Sequence, residues 1–340
     1  MVTIYDVARE AGCSPATVSK AFNNYKSVSE KTYKKIMDTA DKLGYTPNNS
    51  ARALATKKTW LIGVILSEEL HTGITHPHFS GILQSFNTRA GEYGYDIVFI
   101  SKRFDNREIS YLEHCQYRGV DGVLLAVGAK FNDEIKCILE SDIKCVSIDG
   151  IYPNKYTMIS DNRMGSFQAL EYLYFLGHRK IAHIACPLDS IAGRERYDAY
   201  KEFLEMKGLE FNSKYVVEAE DFTHEAGKKA SLELLQQSFD DLPTAVYAAC
   251  DDIAYVSMTI FQEKGFRIPE DISVVGFDNI KLSEFMTPPL TTIEQDRVEI
   301  GKRAADILVS LIEGKNIDEP YEIRIPTKLI MRNSCIRITE

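Results

Sequence analysis

The sequence holds no run approaching the ~20 apolar residues of a membrane-spanning helix, although 44% of its 340 residues are hydrophobic. No stretch therefore reads as a membrane span. It also lacks the compact signatures of nucleotide and metal chemistry: there is no GxGxxG, the Gly-Lys pairs at 227, 301 and 314 are not followed by Ser or Thr, and neither HExxH nor a closely spaced cysteine pair occurs. The seven cysteines (13, 115, 137, 145, 186, 250, 335) form no framework, and their odd number fits a reducing compartment. Asp6, Arg9 and Glu10 stand where an export signal needs apolar residues, so a cytoplasmic protein is expected. His71, His76 and His78 cluster after the first apolar run of the body, without a carboxylate or cysteine at ligand spacing, and read as a polar loop near a cleft mouth. Nothing resembles a nucleophile elbow. No enzyme, cofactor or resident metal is expected.

Positive charge is scarce overall, with a net of -9, but it is unevenly placed. Residues 1–60 carry ten Lys or Arg against five acids, a net of +5 that leaves -14 on the remainder. A basic head on an acidic body suits a module that contacts phosphates joined to a body that DNA repels. The head itself reads as a helix-turn-helix over residues 3–23. Thr3 is an N-cap with Asp6 three residues on, and Ile4, Val7, Ala8 and Ala11 share one face. Gly12 ends that helix, while Ser14 and Pro15 open the next, whose Val18, Ala21 and Phe22 point inward. This leaves Pro15, Ala16, Thr17, Ser19 and Lys20 outside, where a recognition helix presents side chains to base edges. Ser29 caps a third helix that Gly44 closes.

Residues 47–59 form a linker with helical tendency, capped by Asn48 or Asn49, with Ala51, Leu54 and Ala55 as its small apolar face. It is shorter than the roughly 12 to 15 residues at which an isolated helix becomes marginal in water, so it should order only against something else. From Trp60 short apolar runs alternate with amphipathic stretches: 61–66, 95–100, 122–127 and 144–148, then 180–185, 215–219, 244–249 and 272–277. Runs apolar on both faces, spaced by helices, indicate two parallel sheets covered on both sides, and ligands of such folds sit at strand carboxyl ends. Asp149, Asp161, Asp251 and Asp278 all follow strand-like runs. Each can accept hydroxyl protons from a polyol, and each can equally cap the following helix. Taken with Arg194, Phe79 and Phe222 they suggest a site for a hydroxyl-rich, ring-bearing ligand.

These blocks resemble the LacI family of bacterial transcription regulators across essentially the whole chain. The resemblance is carried by Thr3-Ile4-Tyr5-Asp6-Val7-Ala8-Arg9-Glu10-Ala11-Gly12, Thr17-Val18-Ser19, Leu43-Gly44-Tyr45 with Pro47-Asn48, Leu176-Gly177-His178-Arg179, Val275-Gly276-Phe277-Asp278 and Pro289-Leu290-Thr291-Thr292. It implies a small all-α helix-turn-helix headpiece (1–46), a hinge helix and linker (47–59), and an α/β body similar to type I periplasmic binding proteins. The implied body has two subdomains, residues 60–158 plus 293–318 and 162–287 plus 322–340, with chain crossings near 158–162, 287–293 and 318–322. It further implies a homodimeric repressor, rather than a tetramer, that binds a pseudo-palindromic double-stranded DNA operator and answers to a small effector, a sugar or sugar derivative. The DNA-binding candidates are Thr3, Tyr5, Ser14, Pro15, Ala16, Thr17, Ser19, Lys20, Asn23, Ser29, Asn48, Ala51 and Arg52, with Leu54 as the hinge leucine that wedges into the central base step. The effector candidates are Phe79, Asp149, Asp161, Arg194, Phe222, Asp251 and Asp278. Two positions depart from the family pattern. Cys250 stands where many relatives carry asparagine, and His78 alters the cleft mouth, so a standard hexose is in doubt. A phosphoprotein co-effector is the alternative form of control, and a solute-binding receptor is a rival that would need an export signal.

Overall fold

A computed structural model describes residues 2–22, 27–46, 58–66, 73–126 and 132–338. The chain divides into two compact units, Met1–Trp60 and Leu61–Glu340. In the first, α1 (Ile4–Ala11), α2 (Pro15–Phe22) and α3 (Glu30–Leu43) surround a core of Val7, Ala8, Ala11, Val18, Ala21, Ile36 and Ala40. The caps are those the sequence predicts. The Thr3 backbone N–H donates to the Asp6 carboxylate at 3.0 Å, Gly12 takes the left-handed φ of 67° that turns the chain, and Ser29 accepts from the Thr32 N–H. Asn23, Asn48, Ala51, Arg52 and Leu54 lie outside the described residues.

The second unit contains two six-stranded sheets. The first joins β1 (Leu61–Leu66), β2 (Asp96–Ile100), β5 (Gly122–Ala126), β6 (Lys144–Ile148), β7 (Tyr156–Ser160) and β13 (Glu322–Ile325), all parallel, in the order β13-β7-β6-β5-β1-β2. A two-stranded hairpin, β3 (Arg103–Phe104) and β4 (Arg107–Glu108), stands apart. The other sheet has β8 (Ile181–Ala185), β9 (Val216–Glu218), β10 (Ala245–Ala248), β11 (Ser273–Asp278), β12 (Thr291–Gln295) and β14 (Thr327–Ile330), in the order β14-β12-β11-β10-β8-β9. Its strands are parallel except β14, which runs antiparallel to β12. Helices α4 (Pro77–Glu92), α5 (Tyr111–Arg118), α6 (Asp133–Glu140) and α11 (Arg297–Ile312) belong to the first subdomain; α7 (Asn162–Phe175), α8 (Ile191–Met206), α9 (His224–Gln237) and α10 (Asp251–Glu263) belong to the second. Helices α4 and α11 meet closely at Gly301, where an added Cβ would lie 2.3 Å from the Ile82 carbonyl oxygen.

The chain passes between subdomains after β7 at Asp161, between β12 and α11 at Asp296, and between β13 and β14 at Pro326. The first crossing falls within the expected window. The other two lie later than the expected 287–293 and 318–322, so the second subdomain keeps residues through 295 and the first keeps β13. The cause is visible in the strands. Thr-Thr-Ile-Glu-Gln holds a single apolar residue and Glu-Ile-Arg-Ile alternates polar with apolar, so both lack the continuous apolar texture that marks the other strands, yet each pairs in parallel with a neighbouring strand.

Candidate functional site

On the headpiece, the residues expected outside α2 are where its two-sided pattern puts them. Thr3, Ser14, Ala16, Lys20 and Ser29 are exposed, Tyr5 is 70% exposed, and Pro15, Thr17 and Ser19 are half-buried. Several of these side chains already have local work. Ser14 Oγ accepts the Thr17 N–H at 3.1 Å and pairs with Thr17 Oγ1 at 2.8 Å, while Ser29 caps α3. Lys20 therefore presents the long donor of this surface, and Tyr5 its large ring.

In the body, one cleft between the two subdomains is lined by His76, His78, Phe79 and Asp149 from one side and by Ser190, Ala192, Arg196, Phe222, Cys250, Asp278 and Gln295 from the other. Pro77 at the first helical position starts α4 and brings His78 and Phe79 to the cleft in its first turn. The Asp149 backbone bends to a φ of 55° after β6, and its carboxylate meets His78 Nε2 at 3.2 Å. Opposite, Arg196 is nearly fully buried. Its Nε donates to Asn162 Oδ1 at 2.9 Å and a terminal nitrogen to the Ala249 carbonyl at 2.5 Å, and its plane lies 3.7 Å from the Phe277 ring centroid. Asp278 sits 3.9 Å from that guanidinium and accepts the Gln295 amide. The His76 ring makes edge contacts with Phe79 at 5.4 Å and Phe222 at 6.0 Å. Burial, reinforced by His78, pushes its pKa down to about 4, so it is neutral at neutral pH.

Four of the seven effector candidates, Phe79, Asp149, Phe222 and Asp278, thus line one cleft. Three do not. Asp161 caps α7 through the Met164 N–H at 2.9 Å, and Arg194 is exposed on the far side of α8. Asp251 is fully buried behind the cleft wall, tying Ile280 N, Ser283 Oγ and Thr292 Oγ1 together under Gly276, where a Cβ would come within 2.3 Å of its Oδ1. Burial and the nearby Asp278 charge push the Asp251 pKa up to about 7. Arg196 was legible in principle: Gly193, Arg196, Ala199, Tyr200 and Phe203 recur at helical spacing on the buried face of α8, and Arg194 falls off it. Gln295 and Ser190 carried no such signal. Among the described residues no group of three or more His, Cys, Asp or Glu is placed to hold a metal ion.

A helix-turn-helix module followed by a two-subdomain body with a cleft lined by charged and aromatic side chains defines a DNA-binding regulator with a ligand-binding domain. Residues 3–48 match the family described as bacterial regulatory proteins, lacI family, and residues 170–335 match the periplasmic binding protein-like domain. The catabolite control protein A of Priestia megaterium is 31% identical over 337 residues, covering 98% of this chain and 99% of that protein. The transcriptional repressor PurR of Vibrio vulnificus is 32% identical over 343 residues, covering 99% and 100%. Among solved structures, the Lac repressor dimer bound to operator and an anti-inducer superposes with a TM-score of 0.79 at 28% identity, covering 98% and 99%. The regulator CelR in complex with cellobiose gives 0.71 at 30%, covering 98% and 100%. The chain belongs to the LacI family of transcription regulators.

Proposed function

We propose that the chain is a homodimeric repressor that binds a pseudo-palindromic operator through paired headpieces, and that a small sugar-like effector in the cleft controls that binding. The observation that carries the effector reading is the convergence of Asp149, Asp278 and Arg196 with the Phe79 and Phe222 rings: carboxylates accept hydroxyl protons while rings cover the C–H face of a sugar. CelR with cellobiose is a relative that supports this chemistry. About 40 Å³ of space remains between the lining side chains, room for about three waters. Parting of the subdomains enlarges this space for a sugar, which links its binding to their relative angle. The headpiece linker joins the body at β1, in one of those two subdomains. A coupling of about 1 to 3 kcal/mol would change operator affinity roughly 5- to 150-fold. DNA contact is assigned to the exposed headpiece residues, with Lys20 as the base-edge donor, and to Asn23, Asn48, Ala51, Arg52 and Leu54. A cytoplasmic location follows from that role, and among the described residues no helix is long and apolar enough to cross a membrane. The test is a thermal-shift panel of mono- and disaccharides, nucleosides and nucleobases on the full chain, followed by operator titrations with each hit. A ligand at 100 Kd should add about 2.7 kcal/mol of stability. No shift from any of them moves the reading to a protein co-effector.

A further inference from the structure

We infer that the cleft ligand carries no negative charge, so that the site discriminates against phosphate esters and sugar acids of the molecules it accepts. This rests on the reading of the cleft as the effector site. The lining residues include two carboxylates, Asp149 and Asp278, and one permanent cation, Arg196. That cation is already engaged within the protein: Asn162 Oδ1 takes its Nε, the Ala249 carbonyl takes a terminal nitrogen, Asp278 balances its charge, and Phe277 covers one face. His76 is neutral. The two lining carboxylates and the one guanidinium sum to a formal charge of -1. Asp252 adds further negative potential near His76. Among the described lining residues an incoming phosphate would meet no cation whose charge a carboxylate does not already balance, and a charge that enters a partly buried site without a partner is strongly disfavoured.

The hydrogen-bonding inventory points the same way. The carboxylates offer acceptors, Ser190 Oγ already donates to the Pro187 carbonyl, and one of the two Gln295 amide N–H groups already serves Asp278. The His78 ring is 95% buried by its 5% exposure, and its Nδ1 has no hydrogen-bond partner, as is also true of His76 Nδ1. When His78 Nε2 donates to Asp149, Nδ1 is left as a buried acceptor without a partner. The wall thus sets a few polar atoms, the carboxylate oxygens among them, into largely apolar surface, and its complement is an uncharged ligand that combines O–H or N–H groups with apolar faces.

The test compares matched probes on the full chain by calorimetry and thermal shift: glucose against its phosphate ester and gluconate, cellobiose against cellobionate, and xylulose against its phosphate ester. The neutral member of at least one pair should bind, with the charged members weaker by on the order of 100-fold, as expected of unneutralised like charge at cleft distances. The Asp149→Asn variant supplies an independent reading. Asparagine tolerates the positive φ at this position, so the variant should fold. Removing one negative charge should narrow the neutral-to-charged affinity ratio about tenfold, which a merely structural role of Asp149 would not do. A charged probe binding as well as or better than its neutral parent overturns the ligand class and leaves the cleft as the effector site. No binding by any probe overturns both the site and the class.

Discussion

The arginine that faces the cleft is connected to the point where the subdomains join, and this connection can be cut without touching the cleft. Arg324 on β13 belongs to the first subdomain, and Glu195 on α8 belongs to the second. They form a bidentate pair with N···O distances of 2.6 and 3.1 Å. Glu195 Oε2 also accepts the Asn162 amide at 2.9 Å, and Asn162 Oδ1 in turn accepts Arg196 Nε at 2.9 Å. The side chains of Arg324 and Glu195 are 35% and 22% exposed, so solvent screens the pair and the strength of a fully buried ion pair does not apply. A fair figure after that discount is about 1 kcal/mol, which corresponds to about a fivefold change in an equilibrium constant. Arg324→Gln should therefore raise the population of parted subdomains about fivefold and lower the melting temperature by only a few degrees. Cys137, exposed on α6, offers a natural labelling site in the first subdomain, and Phe239→Cys at the 78%-exposed Phe239 adds one in the second. Pulsed electron-spin distance measurements between these labels, without ligand, would report the shift. A double-mutant cycle with Glu195→Gln should give a coupling of about 1 kcal/mol. Superimposable distance distributions for wild type and Arg324→Gln, or strictly additive single effects, would refute the idea that this chain of contacts holds the subdomain angle.

Three further outcomes are expected. Arg196→Gln should abolish thermal protection by a cleft ligand while operator affinity without ligand stays within a few fold, and Arg194→Gln should behave as wild type; a loss in both variants would contradict the assignment of the cleft arginine. Burial holds His76, His178 and His183 down to about 4, so each contributes stability present above the ordinary histidine value of about 6.5 and lost as pH falls toward about 4. Asp251, raised to about 7, acts in the opposite sense: its contribution is complete at low pH and is lost as pH rises through about 7. Urea midpoints should therefore rise more steeply from pH 4 to 7 in Asp251→Asn than in wild type, and parallel profiles would count against a raised pKa. On the DNA side, Leu54→Ala should weaken operator binding far more than non-specific binding, and Lys20→Ala should cost about 1 to 3 kcal/mol on the operator and relax base choice, both read by titration at fixed salt. Equal losses on operator and random DNA would argue against a wedge and a base reader.

Much of this protein was legible before any coordinates. The headpiece helices are encoded locally: Thr3 with Asp6, Gly12, Ser14 and Gly44 punctuate them, and the apolar stripe from Ile4 to Ala11 needs no distant partner to be recognised. The central strands of both sheets announce themselves because a parallel strand buried on both faces must be apolar at every position. The carboxylates at strand ends were found for the same reason, since the ends of those runs are easy to see.

Their direction was not. Asp149 and Asp278 enter the cleft because their backbones adopt φ values of 55° and 125° after the strand, whereas Asp161 continues into α7 as its cap and Asp251 turns beneath Gly276 into a buried hydroxyl cluster. Four residues with the same local pattern thus receive three different fates from loop geometry and from neighbours far away in sequence. The late crossings at 296 and 326 have the same origin, because β12 and β13 are strands by virtue of what they pair with rather than what they contain. By itself the sequence determined the headpiece, the alternation of strand and helix and the family, all properties of residues close together in the chain. Only the tertiary structure decided which charges meet across the cleft, because that depends on long-range register and on the backbone turn taken at each strand end.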